Sequence, residues 1–259
     1  MPYQPHTHLK GPADEDARLW RYMSFERLLS VLIDRALYFP SAGTLAKSDK
    51  FEAQPTVGEV GLLQNIRYTY EGEHSGHERD QLEGLLEVPT ADEKNRVEAS
   101  LRTAFVSCWH ANDTESDAMW KIYGRENGIA IRTTFGRLKE SFGGASEPIY
   151  IGEVEYVSEG HVGNRVIWVH ALFRKRSPFS HENELRAICI DANRADQPGI
   201  KIPIDLCALI ETVIISPYSE YWFGGLVEKI TKKLGYHFTV VPSMASGPPP
   251  SASLRFNDG

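Results

Sequence analysis

Strand-like and helix-like segments follow one another along this chain without regular alternation, and that order constrains the fold most. Leu19-Trp20-Arg21-Tyr22-Met23 is a short strand pattern, and Ser24 then caps a helix carrying Phe25, Leu28, Leu29, Leu32 and Ile33 on one face. Ala36-Leu37-Tyr38-Phe39 reads as a second strand ending at Pro40, and Phe105 to Trp109 as a third. Thr114-Glu115-Ser116-Asp117 has the form of a capping box before a helix with Met119, Trp120 and Tyr123, which Gly128 should end. Further strands are expected at Ile129 to Thr133, Tyr150 to Val157, Glu184 to Ile190, Thr212 to Ser216 and His237 to Val241. Leu226, Ile230 and Leu234, four residues apart, give the last helix its apolar stripe. Regular β-α-β alternation would build a parallel sheet. Its absence predicts an α+β fold with a mixed, mainly antiparallel sheet.

Residues from about Gly58 to Arg102 are highly charged, with apolar residues at helical spacing at Leu82, Leu85, Leu86, Val97 and Leu101. Neither stripe is wide enough to form a core alone, so residues 58–103 read as a helical layer inserted into one α+β domain over 18–242. Residues 1–17 read as a solvated arm, and the small, Pro/Gly-rich stretch 243–259 as a disordered tail. The chain has 28 Lys+Arg against 35 Asp+Glu, a formal charge of −7. That balance excludes a broadly basic nucleic-acid binder and leaves room for a local basic groove. Cys108, Cys189 and Cys207 sit in apolar runs with no CxxC pair, which reads as three buried, reduced thiols in a cytoplasmic protein. The N-terminus has no apolar signal core, and no apolar run approaches the ~20 residues of a membrane span, so no membrane partner is expected.

No dinucleotide fingerprint, P-loop or nucleophile elbow is present. His74 and His77 lack the i, i+4 spacing that sets two ligands on one helix face, and His6 and His8 lie in the arm, so no metal site is expected. The strongest candidate is Glu182-Asn183-Glu184-Leu185-Arg186. On a strand, Glu182, Glu184 and Arg186 share one face while Leu185, Ala187 and Cys189 take the other. Such an alternation makes either a solvent-exposed ion ladder or a charged site. Arg174-Lys175-Arg176 just upstream is either a solvated turn or a source of positive charge for the same cleft. Arg21, between Trp20 and Tyr22, is either exposed at an edge or drawn toward an anionic group. Trp120 and Tyr123 are either core residues or a stacking platform for a planar ring.

Several of these segments, in this order, resemble an uncharacterised bacterial family that carries only a domain-of-unknown-function label. They are Leu19-Trp20-Arg21-Tyr22, Leu37-Tyr38-Phe39, Lys47 to Glu52, Val106 to Trp109, Met119-Trp120-x-x-Tyr123, Gly128 to Ile131, Phe173-x-Lys175 and Glu182-Asn183-Glu184-x-Arg186. The resemblance covers about residues 18 to 242. It departs where the family has Asn-Asp-Pro-Phe-Glu and this chain has Ser48-Asp49-Lys50-Phe51-Glu52, without the rigidity of the Pro.

The opening, with Arg21 followed by Arg27-Leu28-Leu29-Ser30-Val31-Leu32, is similar in spacing to ADP-ribosyltransferase folds, although Met23 stands where His-type members carry Thr. This similarity implies an enzyme that uses NAD as a substrate to modify an acceptor macromolecule, as a bacterial toxin or defence effector. It implies that Glu184 stabilises the ribosyl cation and that Glu182 positions or deprotonates the acceptor. Arg21 would hold pyrophosphate or ribose, and Ser107 or Tyr123 would take the family's middle position. Tyr22, Trp120, Lys175 and Arg186 complete the nucleotide-facing set, and the strand of Arg21 should lie beside that of Glu184. The alternative is an effector or binding module that recognises a nucleotide, nucleic acid or partner protein through Arg174-Lys175-Arg176. Its metal-dependent nuclease form would need Glu52, Glu182 and Glu184 as ligands.

Overall fold

The computed structural model describes residues 2–6, 9–47, 49, 95, 99–158, 160–161 and 171–246. In chain order the elements are β1 (Arg18–Ser24), α1 (Phe25–Asp34), β2 (Ala36–Pro40), α2 (Ala42–Leu45) and β3 (Ala104–Ala111). A single turn, Asp117–Met119, runs into a π-helical turn, Trp120–Gly124, and then come β4 (Gly128–Thr134), α3 (Phe135–Ser141), β5 (Ile149–Glu153) and β6 (Glu155–Val157). The remainder is β7 (Arg174–Arg176), β8 (Glu184–Ile190), β9 (Gly199–Pro203), α4 (Leu206–Leu209), β10 (Thr212–Ile215), α5 (Phe223–Lys233) and β11 (Thr239–Pro242). The class is α+β with a mixed, mainly antiparallel sheet, as the segment order requires.

The chain forms two compact units, each assembled from three separate stretches. The first comprises Met1–Ala13, Leu37–Trp109 and Phe142–Ile202. In it β3, β8 and β5 are consecutive neighbours, β5 and β8 being antiparallel, with two small pairs, β2 with β9 and β6 with β7. Ala42, Ala104, Val106, Leu172, Phe173 and Ile188 form a buried cluster against which Leu9, Leu45 and Cys108 pack. The N-terminal arm is not wholly solvated. Ile149 exchanges backbone hydrogen bonds with the arm, donating to Pro2 at 2.7 Å and accepting from Gln4 at 2.9 Å. β5 ends its row of strands, so the arm satisfies an edge that would otherwise be open.

The second unit comprises Asp14–Ala36, His110–Ser141 and Pro203–Gly259. Its strand order is β11-β10-β4-β1, followed by the last two residues of β3. Ile129, Ala130 and Ile131 at the centre of β4 are fully buried, which explains why that strand reads as a continuous apolar run rather than an alternation. Trp20, Tyr22, Met119, Trp120, Ala130 and Ile214 form its buried cluster.

Several local expectations are corrected, beginning with α1, where Val31 is buried and Ile33, expected on the apolar face, is 66% exposed. Ser116 caps the short turn by accepting from the Met119 N–H, so Thr114 and Asp117 do not form the expected box. The helical segment ends at Gly124, four residues before Gly128, because Arg125 leaves it at φ 53. On α5 the buried residues are Phe223, Val227 and Thr231, while Leu226 and Leu234 are exposed, so the helix is turned one residue from the expected stripe. Tyr150 to Val157 splits at Val154 into β5 and β6. Of the cysteines, Cys189 is buried, Cys108 partly buried and Cys207 exposed. The expected helical layer lies outside the described residues except at 95 and 99–103, where the chain is helical.

Candidate functional site

The approach to β8 shapes the first unit's charged cluster. A 3-10 turn, Ser177–Glu182, with Pro178 in its first positions, leads to Asn183 at φ 37 and ψ 59. Asn is among the few residues other than Gly that accept this left-handed conformation readily. Glu182 therefore lies before the strand, and the turn brings it beside Glu184. The Glu184 carbonyl accepts from the Val154 N–H at 2.8 Å. Its own N–H donates to the Tyr156 hydroxyl at 2.8 Å.

The side chains interlock from the inside outward. Arg186 is 1% exposed and grips Glu184, 5% exposed, with Nε to Oε1 at 2.8 Å and Nη2 to Oε2 at 3.2 Å. Its Nη1 donates to the Leu172 carbonyl at 2.6 Å. Lys175 Nζ lies 2.5 Å from Glu182 Oε2 and 3.4 Å from Glu184 Oε2, with the Phe179 ring centroid 5.0 Å away. Glu182 is also buried, so this is not the exposed ion ladder that strand alternation allows. Arg174 and Arg176 flank Lys175 on β7, meeting Glu155 at 3.4 Å and Asp49 at 3.5 Å, so the basic triplet is a strand and not a solvated turn.

Burial alone would push the Glu184 carboxyl up. The Arg186 guanidinium outweighs it, helped by Lys175 and by a hydrogen bond from the Cys108 thiol, and holds the group down at about 2. Lys175 is penalised by burial, but Glu184 and Glu182 more than compensate and raise it above the ordinary lysine value. Burial pushes the Tyr156 phenol up to about 12, the N–H of Glu184 opposing and the two carboxylates adding to the rise. At neutral pH Glu184 and Lys175 are thus both in their charged forms.

The other expected site residues are distributed differently. Ser107, on β3 in the first unit, is fully buried. Arg21, Tyr22, Trp120 and Tyr123 belong to the second unit. Arg21 is partly buried opposite Ile131 of β4. The neighbours of β1 are β4 and β3, so the strand of Arg21 is not beside β8, correcting that expectation. Tyr22 is buried, accepting the Ser116 N–H at 2.8 Å, and meets the Trp120 ring edge-to-face at 4.9 Å. Trp120 is fully buried, and its Nε1 donates to Glu115 at 2.8 Å, whereas Tyr123 is exposed.

Tyr156, Cys108, Phe179 and Glu115 are not among the site residues expected from sequence. Tyr156 carried a faint signal, a polar-tipped aromatic in a strand just upstream of the basic triplet. Cys108 and Phe179 carried none, since their roles arise from long-range contacts. Glu52 lies outside the described residues. Among the described residues no group of three or more His, Cys, Asp and Glu side chains is arranged to hold a metal ion. No helix among them is long and apolar enough to cross a membrane. Comparison of the sequence with protein-family models and with curated proteins finds no match.

Proposed function

We propose that the chain is an ADP-ribosyltransferase-like enzyme that consumes NAD, with the cluster at the head of β8 as its reacting centre. The observation that carries this reading is the pair of carboxylates, Glu182 and Glu184, gathered around Lys175 with Glu184 held ionised by Arg186. Breaking the bond between ribose C1′ and the nicotinamide nitrogen sends the electron pair to nicotinamide and leaves a cationic ribosyl group. A carboxylate already oriented, as Glu182 is by Lys175, stabilises that charge as it develops. The acceptor then bonds to C1′, and its proton passes to a carboxylate or to water.

Packing favours a different division of labour between the two carboxylates than the resemblance implies. Both Glu184 oxygens are engaged by Arg186, and its side chain is 4% exposed against 11% for Glu182. Glu182 is therefore assigned to the ribose and acceptor, and Glu184 to orienting Lys175. Lys175 and Arg176 supply positive charge for the pyrophosphate. The test is transfer of labelled ADP-ribose from NAD to protein or nucleic-acid acceptors. Glu182→Gln should lower it at least a hundredfold while leaving the circular-dichroism spectrum intact. Unchanged labelling, or thermal stabilisation by manganese with none by NAD, defeats the reading and favours the metal-dependent alternative.

A further inference from the structure

We propose that the segment Thr239 to Ser246 of the second unit is a strap that gates a planar-ring site on the Tyr22–Trp120 cluster, with Glu115 as its latch. Among the described residues β11 pairs only with β10, in parallel, and its four residues are partly or fully exposed. An edge strand this short is weakly held by its own ladder. Its Val241 nevertheless packs against the buried aromatic cluster. The residues just after the strand hold it closed. Ser243 is 3% exposed, and its hydroxyl donates to Glu115 Oε2 at 2.5 Å. The Met244 N–H donates to Glu115 Oε1 at 2.5 Å, while the Met244 side chain projects into solvent. The first residues of the expected tail are thus ordered because one carboxylate collects them.

The same carboxylate accepts the Trp120 indole N–H, so the latch is anchored to the cluster against which Val241 packs. Upstream, Gly235 sits at φ 86, and residues 236–238 belong to no helix or strand, which supplies a hinge between α5 and β11. Opening would remove Val241 from the cluster and free two acceptor positions on Glu115. A flat heteroaromatic ring bearing N–H or O–H donors satisfies both. Strap, latch and ring cluster all belong to the second unit, and the gate stands or falls independently of the transferase reading.

The test separates latch from core. Ser243→Ala combined with Met244→Pro removes both strap donors to Glu115, keeps the Ser243 N–H on the Ile215 carbonyl and the Glu115–Trp120 bond in place, and puts Pro where a 3-10 turn begins and tolerates it. Amide hydrogen exchange of residues 239–246 should accelerate at least tenfold in this variant, with β4 amides unchanged. Adenosine and nicotinamide, titrated separately as ring probes, should bind the variant at least tenfold more tightly than the parent, because the open form is more populated. Unchanged exchange, or equal acceleration in β4, overturns the latch. Faster exchange without tighter binding of either probe overturns the gate. Glu115→Ala, which also releases Trp120, should accelerate the same segment; protection retained there likewise counts against the latch.

Discussion

Arg186→Met is the sharpest test of what the charged cluster does for the fold. It removes the two bonds to Glu184 and the donor to the Leu172 carbonyl, and keeps an unbranched side chain of similar length. Glu184 is then a buried carboxylate left with Lys175, 3.4 Å from one oxygen, as its remaining cation. Stripping one partner from a buried pair costs about 3–5 kcal/mol. The depressed Glu184 value gives a similar figure: from an ordinary 4.5 to about 2, the linked stabilisation is about 3 kcal/mol. In urea, followed by circular dichroism, the midpoint at pH 7 should fall by about 1–2 M for an m-value near 3 kcal/mol/M. The pH dependence has a definite sign. A carboxyl whose folded pKa is depressed contributes its stability above its unfolded value near 4.5 and loses it as pH falls toward 2. In the variant burial is less opposed, the carboxyl rises, and protonation relieves the penalty. The gap between variant and parent should therefore narrow from pH 7 to pH 4. Glu184→Leu with Arg186→Met removes both charges, leaves Lys175 with Glu182, and should recover most of the loss. A cost below about 1 kcal/mol, a gap indifferent to pH, or no recovery in the double variant refutes this account.

Local geometry fixes two further outcomes. Arg125 adopts φ 53 and ψ −153, a region almost confined to glycine, so Arg125→Gly should stabilise by about 1 kcal/mol and raise the melting temperature by about 2–4 °C; a lower melting temperature contradicts the strain. Thiol titration of the folded protein should show Cys207 reacting fast and Cys189 only on unfolding, since burial, then Glu147 and Asp191, push the Cys189 thiol up to about 12; equal rates would sink the assignment.

Much of the framework was legible because local pattern and packing agree in it. β1, β4 and β8 are seven-residue segments with apolar runs long enough to declare themselves, and α1 declared its helix through Leu28 and Leu32, although Val31 rather than Ile33 shares their buried face. α5 offered two stripes one residue apart. Thr231 completes the buried one and looked polar, so Leu226, Ile230 and Leu234 formed the more apolar pattern, yet Leu226 and Leu234 are exposed and Ile230 only partly buried. The division into two units left no mark on the sequence, because each is built from interleaved stretches and no linker separates them.

The candidate sites show where periodicity misleads even when it selects the right residues. Glu182, Glu184 and Arg186 do share a cluster, but Asn183 in the left-handed region puts Glu182 there, not the two-residue period of a strand. That difference has chemical weight: a residue on a turn can sit at the rim, while its neighbours on β8 are enclosed on both faces. Trp120 and Tyr123 fail the opposite way. An α-helix would place them on one face, but the Arg125 N–H bonds to the Trp120 carbonyl, five residues back, at 2.7 Å. The wider π turn carries Tyr123 outward while Trp120 remains buried against Tyr22. Residue types thus marked where charge and aromatic surface would gather, and two backbone irregularities, at Asn183 and at Trp120–Gly124, decided which of those side chains are enclosed and which lie nearer solvent.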